Sequence, residues 1–371
     1  MLLTIISFII ILSLLIFVHE FGHFITAKKS GMKVEEFGFG FPPRLWGAKK
    51  GETVYSINWI PLGGFVKIKG EDGGGREETD SFSHKPFGQK SLVLSAGVLM
   101  NVVFAYLLIS VGLMIGLPTA VDTNDLAKNQ ISNVRVQIAG VVEDSPAKAA
   151  GLKMGDYILS LDGQEIKSVQ QLKEYVSQNP ESEISLGYVR GKQEPAEIKF
   201  TPRVMEGFSP EKVLGVNLIQ TGLVRYGFFE SWYQGLIAAF NLLVAIVMAF
   251  YGLFKNLFTG QGLSEAVAGP VGVAALTGQM VELGFSYVLR FTAVLSINLA
   301  VLNFLPFPAL DGGRFVGVLI EKIRRKPNNL KVETIIHNTG FALLMLLVIF
   351  ITYRDISRYS FGLLEKIKDL F

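Results

Sequence analysis

Two histidines and a glutamate, in the stretch His19-Glu20-Phe21-Gly22-His23, are the residues of this chain best suited to chemistry. They follow an almost unbroken apolar run, Leu2 to Val18, interrupted only by Thr4, Ser7 and Ser13. Ionisable groups at the end of such a run are costly and need a reason to be there. On a helix, a spacing of four residues puts both imidazoles on one face. Both can then meet one Zn²⁺ at about 2.0–2.1 Å. Glu20 stays free to take a proton from a water that the ion acidifies toward a pKa of about 7. The plain alternative is a chance pattern on a helix with idle histidines, and the cost of placing them there argues against it.

A catalytic zinc needs a third protein ligand and an open position. His84 and His337 are the remaining histidines, both in polar, loop-like sequence that reads as solvent-facing. A carboxylate fits better. Asp311 stands in Asn303-Phe-Leu-Pro306-Phe-Pro308-Ala-Leu-Asp311-Gly-Gly, at the end of a late apolar segment. Pro306 and Pro308 break the helix there and free backbone carbonyls. Read alone, Asp311 is better explained by a helix-terminating turn.

The elements that must position these groups are membrane helices. Half of the 371 residues are hydrophobic and 18% are charged, against about 25% in a soluble chain. The net charge of +3 gives no case for nucleic acid as a partner. The absence of cysteine excludes disulfides and thiolate metal sites and leaves the compartment open. Residues 1–27 are long enough to cross about 30 Å of hydrocarbon. No Lys or Arg precedes them and no small-residue cleavage site follows, so they do not read as a signal peptide. Lys28, Lys29 and Lys33 follow, so the C-terminal end of the first span faces the cytoplasm. Residues 34–80 hold a membrane-associated β-hairpin and a polar loop, with strands on either side of a Pro61-Leu-Gly-Gly turn. Residues 88–117 are a second span, in which Asn101 should face protein rather than lipid. Residues 284–308 and 339–357 are two more, joined by the basic loop 309–338, which belongs in the cytoplasm.

Between the second and third spans, residues 125–222 look soluble and lie outside. Their Ser145-Pro-Ala-Lys-Ala-Ala-Gly-Leu-Lys-Met-Gly-Asp-Tyr-Ile-Leu-Ser-Leu-Asp-Gly resembles the permuted PDZ domains of bacteria, and Val213 to Val216 resembles their carboxylate-loop strand. The resemblance implies capture of an extended peptide or a peptide C-terminus; a steric plug is the equal alternative. Residues 228–262 are apolar enough to cross the membrane. If they did, Asp311 would reach the opposite face from His23. Ligands of one ion share a depth, so this segment is expected to lie in the outer interface as an amphipathic helix.

Taken together, the zinc motif in the first span and the Asn-x-x-Pro-x-Pro-x-x-Asp-Gly-Gly motif after a late one resemble the site-2 protease family of intramembrane zinc metalloproteases. The bacterial branch of the regulator of sigma-E protease type is most similar, with its hairpin bearing Gly-Phe-Gly-Phe and its Gly269-Pro-Val-Gly. One departure is that there is room for a single PDZ module. The resemblance implies an α-helical polytopic membrane protein with four transmembrane helices, the hairpin and one extracytoplasmic α+β PDZ domain. It implies one Zn²⁺ per chain on His19, His23 and Asp311, Glu20 as catalytic base, and Asn303, Pro306, Pro308, Gly38 and Gly40 at the substrate. It implies substrates that are single-pass membrane proteins, such as anti-sigma factors and remnant signal peptides, in a bacterial inner membrane. The PDZ then gates access from outside, and the active site lies toward the cytoplasm. Three rivals remain at this point: an enzyme of the same class with a housekeeping role, clearing remnant signal peptides; a membrane-anchored PDZ scaffold whose zinc site is structural or dead; and a zinc transporter. The last would need ionisable residues in several spans, which these spans lack.

Overall fold

A computed structural model describes residues 2–121, 130–142, 144–191, 193–205, 209–259 and 268–368. Residues 125–129, 143, 192 and 206–208 of the expected PDZ segment and 260–262 of the expected interfacial segment lie outside the described residues. The chain forms two compact units. One holds Met1–Leu108, Leu236–Gly278 and Thr292–Phe371; the other holds Ile109–Gly235 and Gln279–Phe291.

The chain opens with α1 (Leu2–Lys29), β1 (Val34–Lys50), β2 (Thr53–Ile68) and α2 (Phe87–Ile115). In the second unit come β3 (Leu117–Ala120), β4 (Ile131–Val141), α3 (Pro146–Ala149), β5 (Tyr157–Leu161), β6 (Gln164–Glu165) and α4 (Val169–Gln178). These are followed by β7 (Ile184–Val189), β8 (Ala196–Phe200), β9 (Arg203–Met205), β10 (Ser209–Val213) and β11 (Val216–Val224). Helices close the chain: α5 (Phe228–Phe258), α6 (Pro270–Leu283), α7 (Phe285–Phe304), α8 (Asp311–Arg324) and α9 (Leu330–Lys368).

Among the described residues, five helices are long and apolar enough to cross a membrane: α1, α2, α5, α7 and α9. The sequence expectation was four crossings, with α5 in the interface; length and composition alone give α5 the same standing as the others. The expected loop 309–338 is largely helical, since α8 fills its first half and α9 begins at Leu330.

In the first unit, α1 and α2 meet at the level of the histidines. A Cβ on Gly22 would come within 2.5 Å of the Ala96 carbonyl oxygen, so only glycine permits this approach. Ala27, Met32, Val34, Ile68, Phe82, Val93 and Leu94 form the core at that end. The hairpin corrects the expectation. The arms on either side of Pro61-Leu-Gly-Gly do not pair with each other; both pair with β1, which runs between them. Gly38 faces Phe65 on one side and Ser56 on the other, and a Cβ there would strike both. The two glycines of Gly-Phe-Gly-Phe thus admit a third strand that an alternation pattern cannot announce. The tip reverses instead at Gly51, in the left-handed region. Trp46, Trp59 and Leu45 are exposed along the hairpin, as expected of a ribbon whose surroundings are apolar.

In the second unit an antiparallel sheet runs β3-β11-β4-β5-β7-β8, with β6 on β5. Its core gathers Val136, Ile138, Ile158, Leu161, Leu172, Ile184 and Leu186. Ser145 caps α3 by accepting from the Lys148 amide, with Pro146 in the first turn, and Ser168 caps α4 in the same way. The Gly155-Asp156 turn is fixed by a buried bidentate pair, Arg190 to Asp156, at 2.7 Å for both contacts.

The α1–α2 approach gives a stability prediction. Gly22→Val should destabilise the chain by about 1–3 kcal/mol, the usual cost of overpacking. Thermal unfolding in mild detergent measures this, and an unchanged midpoint would show that the two helices are not in this register.

Candidate metal centre

The Nε2 atoms of His19 and His23 and one carboxylate oxygen of Asp311 converge. His19 Nε2 lies 2.9 Å from Asp311 Oδ2, His23 Nε2 lies 3.3 Å from it, and the two nitrogens are 3.1 Å apart. Both histidines are about 95% buried, at 5% and 6% exposure. Among the described residues this is the one group of three His, Asp or Glu side chains arranged to share an ion.

The partners of the other ring nitrogens decide what the three atoms can do. His23 Nδ1 lies 2.8 Å from the Val93 carbonyl, which can only accept, so the proton is on Nδ1 and Nε2 carries a lone pair. His19 Nδ1 lies 3.4 Å from the Asn101 side-chain amide, and the oxygen of that amide has no partner although it is buried. Turning the amide over resolves both facts, because the oxygen then accepts from His19 Nδ1–H. The Nε2 of His19 is left with its lone pair as well. Two lone pairs and a carboxylate oxygen then face one point, an arrangement that a cation satisfies. Ligands at about 2.0–2.1 Å in a tetrahedron stand about 3.3–3.4 Å apart, close to the separations here. The residues present therefore fit a zinc ion.

Asp311 is delivered by a turn that depends on glycine. A Cβ on Gly312 would strike the carbonyls of Phe304 and Leu305, and one on Gly313 that of Phe307. Pro308 packs against Gly340 of α9, and the Ala309 amide donates to His337 Nδ1 at 3.0 Å. His337 is thus a helical residue bracing the turn, not a loop residue in solvent, while His84 is exposed with Nδ1 at the Arg76 carbonyl.

Glu20 is set apart from the ligands. One of its carboxylate oxygens accepts from the Val66 amide at 3.1 Å. Asn303 reaches the site, with its amide 3.3 Å from His19 Nε2. Pro306 is exposed and Pro308 is packed on α9, while Gly38 and Gly40 are buried inside the hairpin sheet rather than brought to the trio. Two residues escaped the sequence reading. Gly97 on α2 forms a wall of the site: a Cβ there would lie 2.7–2.8 Å from the His19 ring and closer still to His23 Nε2. Asn101 was expected to face protein, and its burial is complete, but its place behind His19 was not foreseen. A lone Gly or Asn in an apolar run carries no signal of its own.

Comparison with known proteins agrees with this chemistry. The model of peptidase family M50 matches residues 7–347. A Clostridium perfringens protein named as a zinc metalloprotease is 36% identical over 93% of this chain and 96% of its own length. A similarly named Fusobacterium nucleatum protein is 35% identical over 94% and 97%. The regulator of sigma-W protease RasP of Bacillus subtilis is 29% identical over 96% and 98%. Among solved structures, the PDZ domain of an SdrC-like protein from Listeria monocytogenes is 30% identical over 23% of this chain and 86% of its own, with a TM-score of 0.19, too low to bear on the fold. The chain belongs to peptidase family M50, the site-2 protease family: it is a zinc metalloprotease and a multi-pass membrane protein.

Two substitutions test the walls of the site. Gly97→Ala should be favoured by helix propensity, by up to about 1 kcal/mol, yet should sharply reduce bound zinc, because its methyl group takes the ion's space. Asn101→Leu should weaken zinc binding about 10–100-fold. Zinc content and chelator competition on the purified chain measure both, and full zinc in Gly97→Ala would refute the geometry.

Proposed function

We propose that His19, His23 and Asp311 hold the zinc ion and that Glu20 is the base and acid of peptide hydrolysis within or near transmembrane segments. The observation that carries this reading is the convergence of two bare imidazole nitrogens and a carboxylate oxygen beside a glutamate that is not among them. The ion, when bound, supplies Lewis acidity to a water and to the scissile carbonyl. Glu20 accepts the proton of that water and returns it to the leaving amine. The Asn303 amide can steady the peptide carbonyl beside His19.

A helix resists hydrolysis because its backbone is already satisfied, so the substrate has to become extended. The arm Gly64–Ile68 of β2 suits this need. It pairs with β1 on one side, and on the other it points the Val66 amide at Glu20. A substrate strand laid on this edge would bring its carbonyls to the metal side of Glu20. The substrate class, by the resemblance to regulators of this family, is single-pass membrane proteins such as anti-sigma factors and remnant signal peptides. The second unit fits the role of a PDZ domain that gates them. Among the described residues, β3 covers β11 from Thr221 onward and leaves the preceding edge, beside α4, open to a peptide.

The reading includes four crossings, with both termini and the PDZ outside and the active site toward the cytoplasm. Three contacts support it. Gly235, early in α5, lies against Ser110 near the C-terminal end of α2. At the start of α6, the Gly272 amide donates to buried Asp355, late in α9, at 2.7 Å. Gly278, further along α6, lies against Thr4 at the start of α1. Each contact is at the end of its helix remote from Lys28 and Lys90. In this reading the segment from α5 to α6 leaves from and returns to one side, so that α5 adds no net crossing.

Two measurements test this. Cleavage of a single-span substrate in liposomes should fall about 10²-fold or more in Glu20→Gln, with zinc retained, whereas Asp311→Ala should lose both zinc and activity; equal turnover in wild type and Glu20→Gln would refute the role of Glu20. Because the chain has no cysteine, single cysteines report sidedness cleanly. Thr259→Cys should react with an impermeant maleimide from outside the cell, and Lys326→Cys only after permeabilisation. The opposite pattern at Thr259 would make α5 a fifth crossing.

A further inference from the structure

The helix that begins with Asp311 has two apolar faces, and among the described residues only one of them is covered. Phe315 and Val318 pack on the core formed by the end of α1 and the start of α2. At 100° per residue they share a side of α8 with Asp311 and Lys322, whose ammonium lies over the Phe87 ring at 4.3 Å. About a third of a turn further round the helix, Val316, Leu319, Ile320 and Ile323 follow the i, i+3, i+4, i+7 pattern of a second stripe. Leu319, Ile320 and Ile323 are exposed, Ile323 at 72%.

The charges divide along the same line. Those on the protein side are paired: Arg314 with Glu71, and Glu321 with Lys90 at 3.1 Å. Arg324, Arg325 and Lys326, at the end that borders the open stripe, are exposed and make no ion pair among the described residues. Arg325 ends the helix in the left-handed conformation, and Pro327 follows, so these cations cluster at one turn.

We propose that the outward face of α8 is a docking surface for anionic phospholipid, with the Val316–Ile323 stripe in the acyl boundary and Arg324, Arg325 and Lys326 on the phosphates. An apolar stripe bordered by unpaired cations is the make-up of a helix lying in a charged interface. The attraction to an anionic leaflet adds up over each such cation near the surface. An acidic protein surface would satisfy the cations, but it would leave four aliphatic side chains against polar groups. Asp311 and Arg324 are the two ends of one helix, so lipid held at one end limits the tilt of the other.

The test uses the full chain equilibrated in vesicles of equal parts phosphatidylcholine and phosphatidylglycerol, then extracted in mild detergent, with the retained lipids counted by mass spectrometry. Wild type should retain phosphatidylglycerol over phosphatidylcholine by about threefold or more relative to the input. The enrichment should shrink in high salt. The triple variant Arg324→Gln, Arg325→Gln, Lys326→Gln should retain the two lipids in the input ratio. The charge-conserving Arg324→Lys, Arg325→Lys should keep the enrichment, which separates loss of charge from loss of fold. No enrichment in wild type would overturn the proposal, and so would enrichment that survives in the triple variant. Neither outcome depends on proteolysis, so a failure here is distinguishable from a failure of Glu20 or the zinc site.

Discussion

Three electron-rich atoms pointed at one another in an apolar interior repel unless a cation lies between them. That constraint organises the first unit. Burying one unpaired carboxylate or bare imidazole would cost far more than a single packing defect. The three atoms come from two distant parts of the chain, His19 and His23 on α1 and Asp311 at the head of α8. Every close approach around the site serves to make that meeting possible. Gly22 lets α2 reach α1, Gly97 leaves the ion its volume, and Gly312 folds the chain back under its own carbonyls. The supporting shell then removes ambiguity: Val93 and Asn101 occupy the Nδ1 positions, so that both Nε2 atoms are available.

The same constraint explains why Glu20 is one residue away from a ligand and yet not a ligand. A helix turns 100° per residue, so the side chain after His19 leaves the face shared by His19 and His23. It meets the hairpin instead, at the Val66 amide. The proposed ligands and the proposed base are therefore positioned by different elements. The ligand trio depends on α2 and α8, while the Glu20 carboxylate depends on the strand that runs along α1, where Ser13 donates to the Pro61 carbonyl and Gly63 lies against Ile16. In this arrangement the strand proposed to receive substrate is also the one that holds the base.

What could be read from the sequence follows from range. The spacing His19-x-x-x-His23 is local, and one helical turn fixes its meaning; with Asp311-Gly-Gly it was enough to reach the family, the enzyme class and zinc. The hairpin was misread because Pro61-Leu-Gly-Gly looks like a turn joining two partners, whereas β1 comes between them. His337 was read as a solvent residue because its flanks are polar, though it braces the Asp311 turn from α9. Gly97 and Asn101 could not be singled out in an apolar run, since their roles exist only when α1 and α2 are side by side. The number of crossings was beyond hydropathy for a related reason: α5 is as long and apolar as the other candidate spans, so length and composition do not tell the two cases apart.

That last point bears on how an apolar helix can be kept from crossing. Hydrophobicity alone would insert α5, whose 31 residues at about 1.5 Å each exceed the hydrocarbon thickness. In the proposed topology that tendency is opposed by contacts of the following helix: Gly278 of α6 lies against Thr4 at the start of α1, and the Gly272 amide donates to Asp355 late in α9. Asp355 is 4% exposed, so breaking that bond would bury a carboxylate without its partner. The proposed zinc ligands ask for the same parity from the other direction, because α7 has to run toward the level of His23 to deliver Asp311 there. A buried carboxylate at each end of the α6–α7 segment, one on a helix N-terminus and one at the candidate metal site, is thus what the proposed four crossings rest on, where composition offers no distinction.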